Sequence, residues 1–243
     1  MVLRSFKVRA LFVWLFFGAL IASALVYFAN PTAPEVSHFH YFGVPAVKVS
    51  QIKLEVIYVV PSDQEPDPKF YPVLKEALTR IQQFHVREFA SMNALRYALY
   101  PAAVRGKESS SFYDAGETAH GNPGAIRRIF TETAARVYNP QGDLHNAQFV
   151  GRKENELPIR VFVYQGVGAS SGVLSVIVSY DYFTKTNYGA TTLYHEVLHN
   201  LGVPDAYDHA TNVSQADDIM GSGRMKPILE TYVRDEIKKR MIE

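Results

Sequence analysis

Hydrophobic and polar positions along this 243-residue chain switch between a period near two and a period near 3.6, and the switch points divide it into elements. Lys53 to Val60 is rich in β-branched residues and predicts a strand, stopped by the loop Pro61 to Pro68. Phe70, Leu74, Ala77, Leu78, Ile81 and Phe84 then form one apolar stripe at helical spacing. A strand is expected around Ala94 to Leu99, followed by a polar loop from Arg105 to Gly124 that carries Ser109-Ser110-Ser111. Ala125 to Tyr138 predicts a second helix, and Pro158 to Tyr164 and Gly172 to Tyr180 two further strands. Ala190, Leu193, Tyr194, Val197, Leu198 and Leu201 mark the buried stripe of another helix, and Lys226 to Met241 predicts a charged terminal helix. Alternating strands and helices of this kind predict the α/β (α+β) class.

The N-terminal pattern is different. Arg4, Lys7 and Arg9 precede Leu11 to Ala29, an uncharged stretch as long as the roughly 20 residues that cross a bilayer. The expected organisation is a basic cytoplasmic end (1–10), a transmembrane signal anchor (11–29), a proline-containing stalk (30–47) and a catalytic domain (48–243) outside the cytoplasm. Ala22-Ser23-Ala24 fits a signal-peptide cleavage pattern, so a secreted product is the alternative. Formal net charge is only +1, and three of the basic residues lie before the span, so no basic patch for nucleic acid is expected. The absence of cysteine excludes disulfides and thiolate metal sites. A monomer is expected.

Within the helix marked by Ala190 to Leu201, His195-Glu196-Val197-Leu198-His199 has the H-E-x-x-H spacing. Residues four apart share a helix face, so both imidazoles can reach one metal while Glu196 lies beside an open coordination position. A helix continued to Asp205 would carry that carboxylate about 9 Å past His199, too far for a third ligand. Gly202 and Pro204 are stop signals placed where the chain must turn to bring Asp205 back. The expected set is therefore His195, His199 and Asp205 on Zn2+, with Glu196 as general base. Asp208 and His209 compete with Asp205 for the metal; Asp208 also suits an acceptor for an imidazole N–H.

His195 to Asp205 resembles the extended motif of the metzincin metalloendopeptidases in their aspartate-ligand form, and Asp217 to Gly223 looks like their Met-turn. Leu201 to Tyr207 with Ile219 to Gly223 is similar to the snapalysins, and Pro204 to Asp208 is similar to the immune inhibitor A family. The resemblance implies a zincin fold: a mixed twisted sheet, two long helices plus the active-site helix, and a small irregular C-terminal subdomain with Met-turn and terminal helix. It also implies an apolar floor at Met220, and an edge strand at Val173 to Tyr180 that pairs with substrate. Many metzincins carry a tyrosine two residues after the Met-turn methionine, where this chain has Ser222. Tyr207 is the candidate for that oxyanion role.

The function expected is hydrolysis of peptide or protein substrates outside the cytoplasm by a membrane-attached zinc endopeptidase. The rival is a non-catalytic membrane-anchored binding protein with a structural metal, against which the intact Glu196 argues. His38 and His40 are not assigned to a site, and Asn212-Val213-Ser214 is a glycosylation acceptor.

Overall fold

The long β-branched run forms Gln51–Val60 (β3), an interior strand of a mixed sheet. A computed structural model describes residues 39–89, 94–114, 123–138, 144, 154–208, 214 and 216–242. The expected cytoplasmic end, the anchor 11–29, His38, His209 and Asn212 lie outside the described residues. Among the described residues no helix is long and apolar enough to cross a membrane.

β3 is flanked by Ala94–Leu99 (β4) on one side and by Glu156–Tyr164 (β6) on the other, both parallel to it. Ser175–Ser179 (β8) continues the parallel set beside β6, and Ala169–Gly172 (β7) closes the edge antiparallel to β8. A short strand, Val104–Arg105 (β5), pairs with the far end of β3. β3, β8 and the second half of β6 are buried on both faces, which is why they are nearly continuous hydrophobic runs rather than alternating ones. Ile52, Leu54, Val56, Tyr58 and Val60 enter one apolar cluster, and Ile57 and Val59 enter another with Phe162, Tyr164 and Ile177. Lys53 and Glu55 fall on the second face and neutralise each other there at 3.1 Å.

The first cluster is covered by the helix Phe70–Phe89 (α1), whose buried positions are the predicted stripe extended by His85 and Phe89. The helix Pro123–Val137 (α3) contributes Ala125, Ile126 and Ile129 to the second. Between β5 and α3 the expected polar loop contains a short helix, Ser110–Tyr113 (α2). Asp63 accepts hydrogen bonds from the Ser110 amide and hydroxyl at 2.8 and 2.9 Å, tying this loop to the turn after β3.

Three expectations are corrected. The stalk does not extend to residue 47: His40–Tyr41 (β1) and Val44–Lys48 (β2) form a hairpin, with Phe39 buried in the core. The strand expected over Gly172 to Tyr180 as the sheet edge is split by a two-residue turn, so β8 is interior and β7 is the edge. That turn, Val173-Leu174, lacks the Gly or Asn that marks such hairpins, and Leu174 takes φ +50. The terminal helix starts at Asp235 (α6, Asp235–Met241), not Lys226. Pro227 and tertiary contacts override helix propensity here: Arg87 donates to the carbonyls of Leu229 and Thr231, and Glu88 accepts the Val233 amide at 3.0 Å.

A leucine held at positive φ is strained by about 1–2 kcal/mol, partly offset by the entropy a glycine would lose. Leu174→Gly should therefore stabilise the protein by roughly 0.5–1 kcal/mol, measured as an upward shift in the urea midpoint at unchanged m.

Candidate metal centre

The site is built on the helix Gly189–Asn200 (α5), reached from β8 through the short helix Asp181–Thr184 (α4). Its apolar stripe docks on α1, where Phe84 meets Tyr194 edge-on and the Tyr194 hydroxyl lies 2.6 Å from His85 Nδ1. That docking fixes the roll of the helix. His195 and Glu196, on neighbouring faces, are buried, and His199 lines the same cleft one turn on.

The helix stops by a defined mechanism. The Gly202 amide donates to the His199 carbonyl at 2.9 Å and the Val203 amide to the Leu198 carbonyl at 3.1 Å, the bond pair of a Schellman turn, with Gly202 at φ +85. The Tyr41 ring occupies the space a Cβ on Gly202 would need, 2.4 Å away. Glycine is thus required twice, by backbone conformation and by packing. The reversed chain then delivers Asp205 to the two histidines.

His195 Nε2 lies 3.1 Å from His199 Nε2, and Asp205 Oδ1 lies 3.2 and 3.3 Å from them. Ligands at about 2.0–2.1 Å from a tetrahedral zinc stand about 3.3–3.4 Å apart, so the triangle matches one face of such a polyhedron. Both Nδ1 atoms face backbone carbonyls, His195 toward Ile219 at 2.9 Å and His199 toward Val203 at 2.8 Å. A carbonyl only accepts, so each Nδ1 carries the proton and each Nε2 lone pair is turned into the triangle. The His-His-Asp group fits a zinc site. Among the described residues it is the one cluster of three such side chains able to hold a metal.

The electrostatics agree with a ligand set. Partial burial opposes ionisation of Asp205, but its close contacts with His195 and His199 hold its carboxyl well below the usual carboxylate range. Burial pushes Glu196 up, against the pull of the two histidines and of the Ser171 hydroxyl on β7. The cleft between β7 and α5 has a volume of about 400 Å³ and is lined by Ala169, Ser170, Ser171, Glu196, Tyr207 and the three candidate ligands.

Tyr207 lines the cleft. Its ring is near-parallel to that of His195, 23° apart with centroids at 6.2 Å, and the Arg224 guanidinium lies over the Tyr207 ring at 4.0 Å. Burial, reinforced by the Asp205 charge, pushes its phenol up to about 12. Asp208 is exposed and is not one of the three clustered groups. Ser222 turns to the preceding loop, donating to Asp217 at 2.8 Å.

Met220 is fully buried in the main core. Its segment also braces the site through its backbone: the Ile219 carbonyl orients His195, and the Met220 carbonyl accepts the Ala206 amide at 2.8 Å, next to Asp205. The segment is itself pinned by the buried Asp218, paired with Arg234 at 2.5 Å, and by the Ile219 amide on the Tyr232 carbonyl at 2.9 Å. A Cβ on Gly221 would meet the Ala216 carbonyl oxygen at 1.9 Å, so only glycine permits this close return of the chain.

Sequence reasoning missed Ser171 and Asn200. The Asn200 amide accepts the Ser175 N–H at 2.9 Å and donates to the Ser175 carbonyl at 3.1 Å, locking the motif helix to the start of β8. Its signal was available as a buried amide beside an apolar stripe. Ser171 had none, because its role depends on which strand is the edge.

No family model matches this chain, and no curated protein does. Among solved structures, an archaemetzincin from Methanopyrus kandleri aligns over 79% of this chain and 94% of that chain, at 11% sequence identity and a TM-score of 0.37. At that distance the reading of the centre rests on its own geometry.

One zinc per chain should bind, and Asp205→Ala should lose it on desalting while Asp208→Ala retains it, as read by metal analysis. Stripping the zinc with a chelator should leave the far-UV circular dichroism nearly unchanged, because the two apolar clusters form without the metal.

Proposed function

We propose that this chain is a zinc-dependent endopeptidase of metzincin type. The observation that carries the reading is the buried carboxylate of Glu196, outside the ligand triangle yet lining the same cleft. A purely structural metal site has no use for such a group. The kinship with snapalysins and immune inhibitor A peptidases rests on the motif residues alone.

Zinc, when bound, supplies Lewis acidity toward a substrate carbonyl and toward a water. Glu196 is placed to take a proton from that water as its oxygen attacks the carbonyl carbon. It then returns the proton to the departing amine nitrogen as the C–N bond breaks. Tyr207, on the cleft wall, is the donor available to the developing oxyanion. His195 and His199 are kept in the metal-facing tautomer by Ile219 and Val203. An extended substrate adds to the outer edge of β7, which among the described residues pairs with β8 alone. Backbone pairing aligns a peptide bond with the centre and asks little of side chains.

The location belongs to the same proposal: Leu11 to Ala29 anchors the chain, with the basic end cytoplasmic and residues 39–243 outside, and the chain acts as a monomer. A soluble form released at Ala22-Ser23-Ala24 is the alternative.

Glu196→Gln should keep full zinc occupancy and lose about 10²–10⁴-fold in kcat/KM on an unstructured protein such as casein. Full zinc occupancy in the wild type with no cleavage across a broad peptide library would favour the non-catalytic binding protein instead.

A further inference from the structure

Val173 is the most exposed large hydrophobic side chain among the described residues, at 94%, and it stands at the tip of the β7–β8 hairpin beside Leu174. A two-residue hairpin turn normally carries Gly, Asn or Asp. Here an apolar pair occupies it, and Leu174 does so at φ +50. Observed strain of this kind points toward a role outside the fold's own stability. The tip follows β7, whose Ala169, Ser170 and Ser171 line the candidate cleft.

The tip has apolar company at the same end of the sheet. β3, β4 and β6 begin together, Gln51 opposite Ala94 and Glu156, and β8 starts further along, opposite Arg160 of β6. The β1–β2 hairpin leads into β3 at that end, and every residue of β2 is exposed, including Val44 and Val47. The two hairpins are linked through the end of the motif helix. Asn200 holds Ser175, and the Leu201 carbonyl accepts the Phe42 amide at 2.9 Å. Basic groups surround the second hairpin: Lys48 is exposed at its end, and Arg240 of α6 lies over the Phe42 ring at 4.2 Å, with Lys239 beside it in the chain. The second hairpin thus joins exposed apolar side chains to exposed cations, the pattern of an interfacial lipid-binding surface.

We propose that this end of the domain, through Val173, Leu174, Val44 and Val47, rests on the lipid surface of a bilayer. The proposal relies on the anchored reading given above. In the sequence, residues 30–38 alone separate Ala29 from Phe39, the first residue of the folded unit. Nine residues span at most about 30 Å when fully extended. An anchored chain therefore has the end from which β1 and β2 start within reach of headgroups, and anionic lipids complement Lys48, Lys239 and Arg240. The cleft beside β7 then opens next to the membrane, which favours substrates whose cleavable segment is itself close to the bilayer.

The chain contains no cysteine, so single labels are unambiguous. The full chain carrying Val173→Cys, Val47→Cys or, as control, Val86→Cys on exposed α1 surface is labelled with an environment-sensitive fluorophore. It is then reconstituted in vesicles of phosphatidylcholine and phosphatidylglycerol, and nitroxide-headgroup lipid is added as quencher. Expected is severalfold stronger quenching at 173 and 47 than at 86, reduced when phosphatidylglycerol is omitted. Equal quenching at the three positions in a vesicle-associated chain would overturn the surface assignment and leave the anchor reading intact. Failure of the full chain to associate with vesicles would overturn both. Cross-linking between Val173→Cys copies without lipid quenching would assign the tip to self-association and also overturn the proposal.

Discussion

Two hydrogen bonds to backbone carbonyls set the character of this molecule. Ile219 and Val203 take the Nδ1 protons of His195 and His199 and turn both Nε2 lone pairs toward Asp205. Without them the imidazoles could rotate or exchange tautomers, and the ligand triangle would be one arrangement among several. The carbonyls act because the backbone that bears them is itself fixed. Val203 belongs to the Schellman turn that stops the motif helix, and Ile219 to a segment pinned by Asp218, Arg234 and the Tyr232 carbonyl.

The rest of the fold holds those two backbone segments at the right distance from the helix. The sheet supplies a stiff platform because its central strands are buried on both faces. Helix α1 acts at both ends of the problem: Phe84 and His85 meet Tyr194 on the motif helix, while Arg87 and Glu88 hold residues 229 to 233. Thr191 adds a direct tie, donating to the Lys226 carbonyl at 2.6 Å. Asn200 extends the linkage to β8 and, through the hairpin, to the strand edge that lines the cleft. Metal ligands, Glu196 and the strand edge proposed to bind substrate are thereby parts of one rigid connection.

Much of this was legible in the residues. The spacing of His195 and His199, the stop at Gly202 and Pro204, and the need for a turn before Asp205 are local consequences of helix geometry, and the structure brings the three side chains together. The long strands and α1 were legible for the same reason, since hydrophobic period is a local property. What escaped depends on distant partners. The Val173-Leu174 turn has no turn residues, so the expected strand ran through it from Gly172 to Tyr180, Ala169 to Ser171 went unassigned and the edge was misplaced. Lys226 to Arg234 has helical composition, but Arg87 and Glu88, far away in sequence, claim its backbone. The orienting carbonyls of Ile219 and Val203 carry no side-chain signature at all. Ser171 became visible only once β7 was known to face Glu196.

The central claim is that the chain presents a preformed two-histidine, one-carboxylate face to a single zinc. X-ray absorption at the zinc edge of the metallated protein tests it most directly. The account predicts a four-coordinate shell of nitrogen and oxygen at about 2.0–2.1 Å with the outer-shell scattering of two imidazoles. A six-coordinate oxygen shell, or scattering from only one imidazole, would contradict it.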